Sequence, residues 1–109
     1  MNNNQSQLQF YPSKKIPVTV LGATGVVGQR FLRRIANHPW FYPQFLAASD
    51  RSAGKKYAEA CRWRLSGLSY AGYAEAKVVP WSPELAFSPI VFSALDAGPA
   101  HEIEPLFAE

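Results

Sequence analysis

The stretch "VTVLGATGVVGQRFLRRI", Val18 to Ile35, changes its pattern half-way. Up to Leu21 it is apolar and β-branched without clean polar alternation, the mark of a strand covered on both faces. "IPVTVL" predicts that strand from Ile16, with Pro17 tolerable only near its beginning. From Val26 the period becomes helical. Val27, Phe31 and Ile35 recur at i, i+4 and i+8 with Leu32 beside them, while Gln29, Arg30, Arg33, Arg34 and Asn37 fill the other face. The helix stops at "NHP", because Pro39 biases His38 away from helical angles and has no N–H to donate.

Three glycines, Gly22, Gly25 and Gly28, join the two patterns. A strand that feeds directly into a helix must reverse in few residues, and the helix then presents unpaired N–H groups that attract anions. Gly22 permits the tight turn, Gly25 removes a Cβ that would hold a phosphate off the backbone, and Gly28 lets the helix approach the strand. The spacing G-x-x-G-x-x-G departs from the commoner G-x-G-x-x-G. It falls nonetheless at a strand-to-helix junction, the context that a dinucleotide fingerprint requires, and predicts a pyrophosphate cradle.

Outward from this unit, "QFLAAS" predicts a second strand, Phe45 to Ser49, followed by the polar loop "DRSAGKKY". Dinucleotide folds read the adenosine ribose at such a strand end, about 20 residues past the glycines. Asp50 there would favour NAD. Ser49, Arg51 and Ser52 would hold a 2′-phosphate, and three phosphate-compatible groups against one carboxylate predict NADP. Lys55 and Lys56 read equally as phosphate contacts or as solvated loop charges.

From Glu59 to Ser88 the pattern supports only a loop, one strand around Ala76 to Val79, and a turn or short helix at "SPELAFS". "IVFSAL", Ile90 to Leu95, predicts another buried strand. Asp96 can cap a last helix with Pro99 in its first turn and Ala100, Ile103, Leu106 and Phe107 on one face. Strand, helix, strand, irregular region, strand, helix means an α/β fold: a Rossmann-type parallel sheet with flanking helices. Residues 1–15 read as a flexible tail and 16–109 as one dinucleotide-binding domain. The last helix reaches Glu109 without a glycine or a basic last turn to close it, so the domain is expected to be truncated before a catalytic part.

Composition narrows the function. Of 109 residues, 48% are hydrophobic and 17% charged, which fits a globular interior, and a net charge of +3 without an RNA- or DNA-binding motif argues against nucleic acid. One cysteine, Cys61, allows no internal disulfide and fits a cytoplasmic compartment. No signal peptide and no apolar run long enough to cross a bilayer is present. Cys61 lacks the setting of a nucleophile, and His38 and His101 form no metal pattern, so no catalytic or metal-ligating residue is predicted. Tyr57, Trp63, Tyr70, Tyr73 and Trp81 read as core packing or as a face against a further domain.

At "VLGATGVVGQRFL", continuing through "ASDRSAGKKYAEACRWRL" and "VFSALDAGPAHEIEPLFAE", the sequence resembles aspartate-semialdehyde dehydrogenases. "RSAGKKY" and "WRL" resemble the branch found in archaea, fungi and some bacteria. The resemblance spans nearly everything from Val18 onward. It implies NADPH-dependent reductive dephosphorylation of aspartyl-4-phosphate to aspartate semialdehyde, on the way to lysine, methionine and threonine. It further implies a catalytic cysteine and histidine that lie outside the portion covered here, an acyl-phosphate substrate, and a homo-oligomer in the full-length protein. Carried over residue by residue, it implies cofactor contacts at Gly22, Thr24, Gly25, Val26, Val27 and Gly28, with Thr24 a hydroxyl partner of the pyrophosphate. Ser49, Arg51 and Ser52 match the adenosine-phosphate loop, and Ser93, Ala94 and Leu95 the strand end beside the nicotinamide. N-acetyl-glutamyl-phosphate reductase, the acyl-CoA semialdehyde reductases and a non-catalytic NADP-binding module remain alternatives, the Gln29-Arg30-Phe31 continuation favouring the aspartate enzyme.

Overall fold

A computed structural model describes residues 15–108, so the tail expected over residues 1–15 lies almost wholly outside the described residues. The chain runs β1 (Ile16–Leu21), α1 (Val26–Ile35), β2 (Phe41–Ala48), the short α2 (Tyr57–Ala60), a 3-10 turn (Ser69–Gly72), β3 (Val79–Pro80), β4 (Ile90–Ser93) and α3 (Ala97–Phe107). All strand pairings are parallel, in the order β3-β2-β1-β4. The chain thus builds outward from β1 to β3 and then returns to the other side of β1. That reversal opens a crevice at the carboxyl ends of β1 and β4, where open α/β sheets bind ligands.

Alternation along each strand sorts the core into two layers. Val18 and Val20 of β1 with Leu46 and Ala48 of β2 face α1, packing against Leu32, Ile35, Tyr57 and Val78. Leu21 and Ala47 face the opposite side, with Ala86 and the half-buried Val91, Ile103 and Phe107. Phe31 of α1 stacks on Phe92 of β4, ring centroids 3.6 Å apart. Buried Thr19 on β1 is fastened by its hydroxyl, which donates to the Ala86 carbonyl at 2.5 Å and lies 2.7 Å from Ser88 Oγ.

Several expectations are corrected. β2 begins at Phe41, not Phe45, and its pairing with β1 slips between Val18 and Thr19, where Gln44 is the extra residue. Pro43 is tolerated because β3 reaches only Ala47 and Ala48 on the other side, so no ladder bond is lost at the proline. The third strand is only Val79–Pro80. Ahead of it, Lys77 makes an isolated antiparallel bridge to Lys56. "SPELAFS", expected as a turn or short helix, is a turn, with Leu85 and Ala86 N–H both donating to the Ser82 carbonyl. β4 is an edge strand with Ile90 exposed, not a buried one.

The helices differ as well. Gln29 is fully buried and Val27 is 58% exposed, the reverse of the expected faces. Gly28, Leu32 and Ile35 carry the buried stripe instead, because the glycine turn fixes the rotation at which α1 starts. No residue of α3 is buried, and Leu106 is exposed. Pro105 lies inside α3, which runs on to Phe107 and closes there, short of Glu109, with Ala108 N–H donating back to the Pro105 carbonyl.

Candidate cofactor site

Gly22 adopts φ +79°, and a Cβ there would stand 2.9 Å from the Ala94 carbonyl oxygen on the adjacent strand end. Only glycine fits both the left-handed backbone and the gap. At Gly28 a Cβ would overlap the Gly22 carbonyl and come within 2.8 Å of Ala23 Cα, so α1 lies on the turn by virtue of a missing side chain. Gly25 is different. A Cβ there would meet nothing nearer than the Gly22 oxygen at 3.7 Å. The protein has no steric need for glycine at this exposed N-cap, so the open space fits a group that comes from outside.

The first bond of α1 is Gln29 N–H to the Gly25 carbonyl, at 2.9 Å. The N–H groups of Val26, Val27 and Gly28 therefore have no acceptor within the helix, and the first turn carries no acidic side chain to compete for them. Val26 and Val27 sit at the rim of a cleft of about 340 Å³. Gly22, Thr24, Gly25, Val26, Val27, Ser49, Ala94 and Leu95 line it, eight of the residues that the sequence singles out.

Four predicted residues lie elsewhere. Gly28 is buried behind the loop. Arg51 and Ser52 follow Ser49 in a turn beyond the lining, closed by Ser52 N–H donating to the Ser49 carbonyl at 2.9 Å. Ser93 is turned away: its hydroxyl donates to Glu104 Oε2 of α3 at 2.5 Å. The cleft adds Ala48, Trp81, Asp96 and Pro99, which sequence reasoning missed as site residues. Asp96 and Pro99 sit there because α3 starts at the same end of the sheet. The only signal for Trp81 was its place one residue beyond a strand end.

The rear of the glycine loop is held by two buried side chains. Tyr57 hydroxyl donates to the Ala23 carbonyl at 2.7 Å. Gln29 Nε2 donates to the Thr24 carbonyl at 3.1 Å and to the Arg62 carbonyl at 3.0 Å, while its Oε1 accepts from Arg64 N–H at 3.0 Å. Burial pushes the Tyr57 hydroxyl far above the ordinary phenol range, so it stays a donor. Burial also pushes the Cys61 thiol up, outweighing hydrogen bonding with Tyr57 and Gln29, which is the opposite of an activated thiolate.

The remaining candidates have structural partners. Lys56 Nζ pairs with Glu75 at 2.8 Å, both side chains more than half exposed, and the hydrogen bond to Glu75 raises the lysine further. His38 Nδ1 accepts from Trp40 N–H at 3.0 Å in the turn after α1. Among the described residues no group of His, Cys, Asp and Glu gathers as a metal site, and no helix is long and apolar enough to cross a membrane.

Residues 17–109 match the family of semialdehyde dehydrogenase NAD-binding domains. The chain belongs to this family. Among its members, the aspartate-semialdehyde dehydrogenase of Archaeoglobus fulgidus is 48% identical over 92 residues, 84% of this chain and 27% of that protein. The Saccharomyces cerevisiae enzyme of the same name is 47% identical over 91 residues, 83% of this chain and 25% of that protein. The malonyl-CoA reductase (NADP) of Metallosphaera sedula is 37% identical over 97 residues, 88% of this chain and 27% of that protein. A crystal structure of Candida albicans aspartate semialdehyde dehydrogenase with NADP superposes with a TM-score of 0.81 at 42% identity, over 87% of this chain and 27% of that one. The chain thus spans about a quarter of the length of the relatives it matches, and the likeness bears out the Rossmann-type reading of the fold.

Proposed function

We propose that this chain is the NADP-binding portion of an aspartate-semialdehyde dehydrogenase, which reduces L-aspartyl-4-phosphate to L-aspartate 4-semialdehyde with release of phosphate. The observation that carries the reading is Gly25, a glycine with no internal reason to be one, at the N-cap of a helix whose free N–H groups rim the cleft at the sheet's switch point. The pyrophosphate of NADP would lie against Gly22 to Val27. Ser49, Arg51 and Ser52 would take the 2′-phosphate, Arg51 by its guanidinium and the serines by their hydroxyls. Ala94 and Leu95 would line the nicotinamide side. When bound, the cofactor supplies hydride; the chain's own residues orient it and shield it from water on the sheet side.

The thiol that forms the acyl-enzyme and the histidine that moves protons belong, in this reading, to the larger enzyme, along with the acyl-phosphate pocket, cytoplasmic location and a homo-oligomeric assembly. The likeness to a malonyl-CoA reductase (NADP) supports a second reading, an acyl-CoA reductase with the same cofactor half.

Calorimetric titration with NADPH and NADH tests the cofactor reading. NADPH is expected to bind at least about tenfold more tightly than NADH, and Ser49→Ala with Arg51→Ala is expected to abolish the preference. Equal affinity for the two in the unaltered chain would refute the NADP assignment. Turnover of aspartyl phosphate by this polypeptide alone would refute the placement of catalysis elsewhere.

A further inference from the structure

The Ala23 and Thr24 carbonyls belong to the same loop whose amides rim the cleft. A carbonyl oxygen facing an anion opposes binding where an N–H facing it assists, so a phosphate loop must turn its oxygens away. Here each has a dedicated donor. Tyr57, the first residue of α2, reaches the Ala23 oxygen 34 residues back in sequence. Gln29, one turn into α1, reaches the Thr24 oxygen. Both side chains are fully buried. Gln29 cannot swing away, since its amide is held at the other end by the Arg62 carbonyl and the Arg64 N–H. An amide in the buried stripe of a helix is unfavourable in itself and persists only when its bonds are complete.

We propose that Tyr57 and Gln29 are positioning residues for cofactor binding: they draw the Ala23 and Thr24 carbonyls to the rear of the glycine loop and so commit its front to N–H donors. This rests on the cofactor reading above. It assigns two residues of otherwise structural type to the affinity for the pyrophosphate, and none to the 2′-phosphate.

Tyr57→Phe and Gln29→Met remove the donors while keeping side-chain volume close. Each variant is titrated with NADP and with 2′-AMP, which carries the 2′-phosphate and no pyrophosphate, and its fold is followed by far-ultraviolet circular dichroism. Folded variants are expected to lose about tenfold in NADP affinity and to keep 2′-AMP affinity within about twofold. Unchanged NADP affinity overturns the proposal, and so does a parallel loss of both ligands. If one variant does not fold the other decides. If neither folds, the residues hold the domain rather than the loop, and the proposal fails. An unaltered chain that binds 2′-AMP and NADP equally weakly would instead sink the pyrophosphate cradle itself, an outcome separate from these.

Discussion

The glycine loop, Gly22 to Gly28, and the middle of the chain, Glu59 to Ser88, are both irregular and both contribute to the core, yet one was legible and the other was not. In the loop most constraints are local: the Cβ that Gly28 lacks would collide with Gly22 and Ala23, six and five residues away. In the middle the constraints come from afar. Arg62 and Arg64 are anchored by Gln29, over thirty residues earlier, and left-handed backbone at Tyr70 and Ala71 is held by the Tyr70 ring against Trp63 and Tyr57. A segment fixed by distant partners needs no period of its own.

The sharpest way to break this comparison is at Gly28. Gly28→Ala adds helix propensity but drives a methyl into the Gly22 carbonyl, and is expected to destabilise the domain by about 3 kcal/mol, read as a lower urea midpoint. A neutral result would mean that the helix can lift off the turn.

Next in size is a dependence on alkaline pH. Burial raises the Tyr57 hydroxyl and the Cys61 thiol above their ordinary values of 10.0 and 9.0. The unfolded chain therefore releases these protons first. Their contribution to stability is full below about pH 8 and is lost as pH rises through 9 and 10 toward the folded values. The urea midpoint should fall over that range, and less steeply in Tyr57→Phe; equal slopes would show that Tyr57 ionises as freely in the fold as outside it.

The middle segment is probed at Tyr70, whose hydroxyl donates to the Cys61 carbonyl at 3.0 Å. Tyr70→Phe is expected to cost about 1 kcal/mol, measured in the same way. The smallest effect on stability belongs to Gly25→Ala, under about 1 kcal/mol, because the added methyl enters open space. The same change should weaken NADPH by at least about tenfold, separating a glycine kept for a ligand from one kept for the fold. Similar losses of stability at Gly25 and Gly28 would erase that distinction.

β1, α1 and the strand-to-helix junction were readable because period and glycine spacing are local properties, and so was most of the cleft lining around them. Gln29 was misread. Helical periodicity counts a glutamine as solvent-facing, and nothing in a wheel diagram announces two carbonyls and an N–H waiting in the core. Trp81 was assigned to packing, which the second core layer supports, but the same ring also walls the cleft. Ser93 was assigned to the cofactor by likeness, whereas its hydroxyl is engaged by Glu104 of α3, a partner eleven residues on that pattern alone could not choose.

The sequence by itself determined an α/β chain with parallel strands and a phosphate-type turn, since buried strands, an amphipathic helix and three glycines leave few alternatives. Only the tertiary structure decided which face of α1 is buried, which groups hold the loop from behind, and which side chains meet in the cleft. Those choices depend on hydrogen-bond donors and acceptors brought together across thirty or more residues, and their cost when unpaired is settled by burial, which no short window of sequence contains.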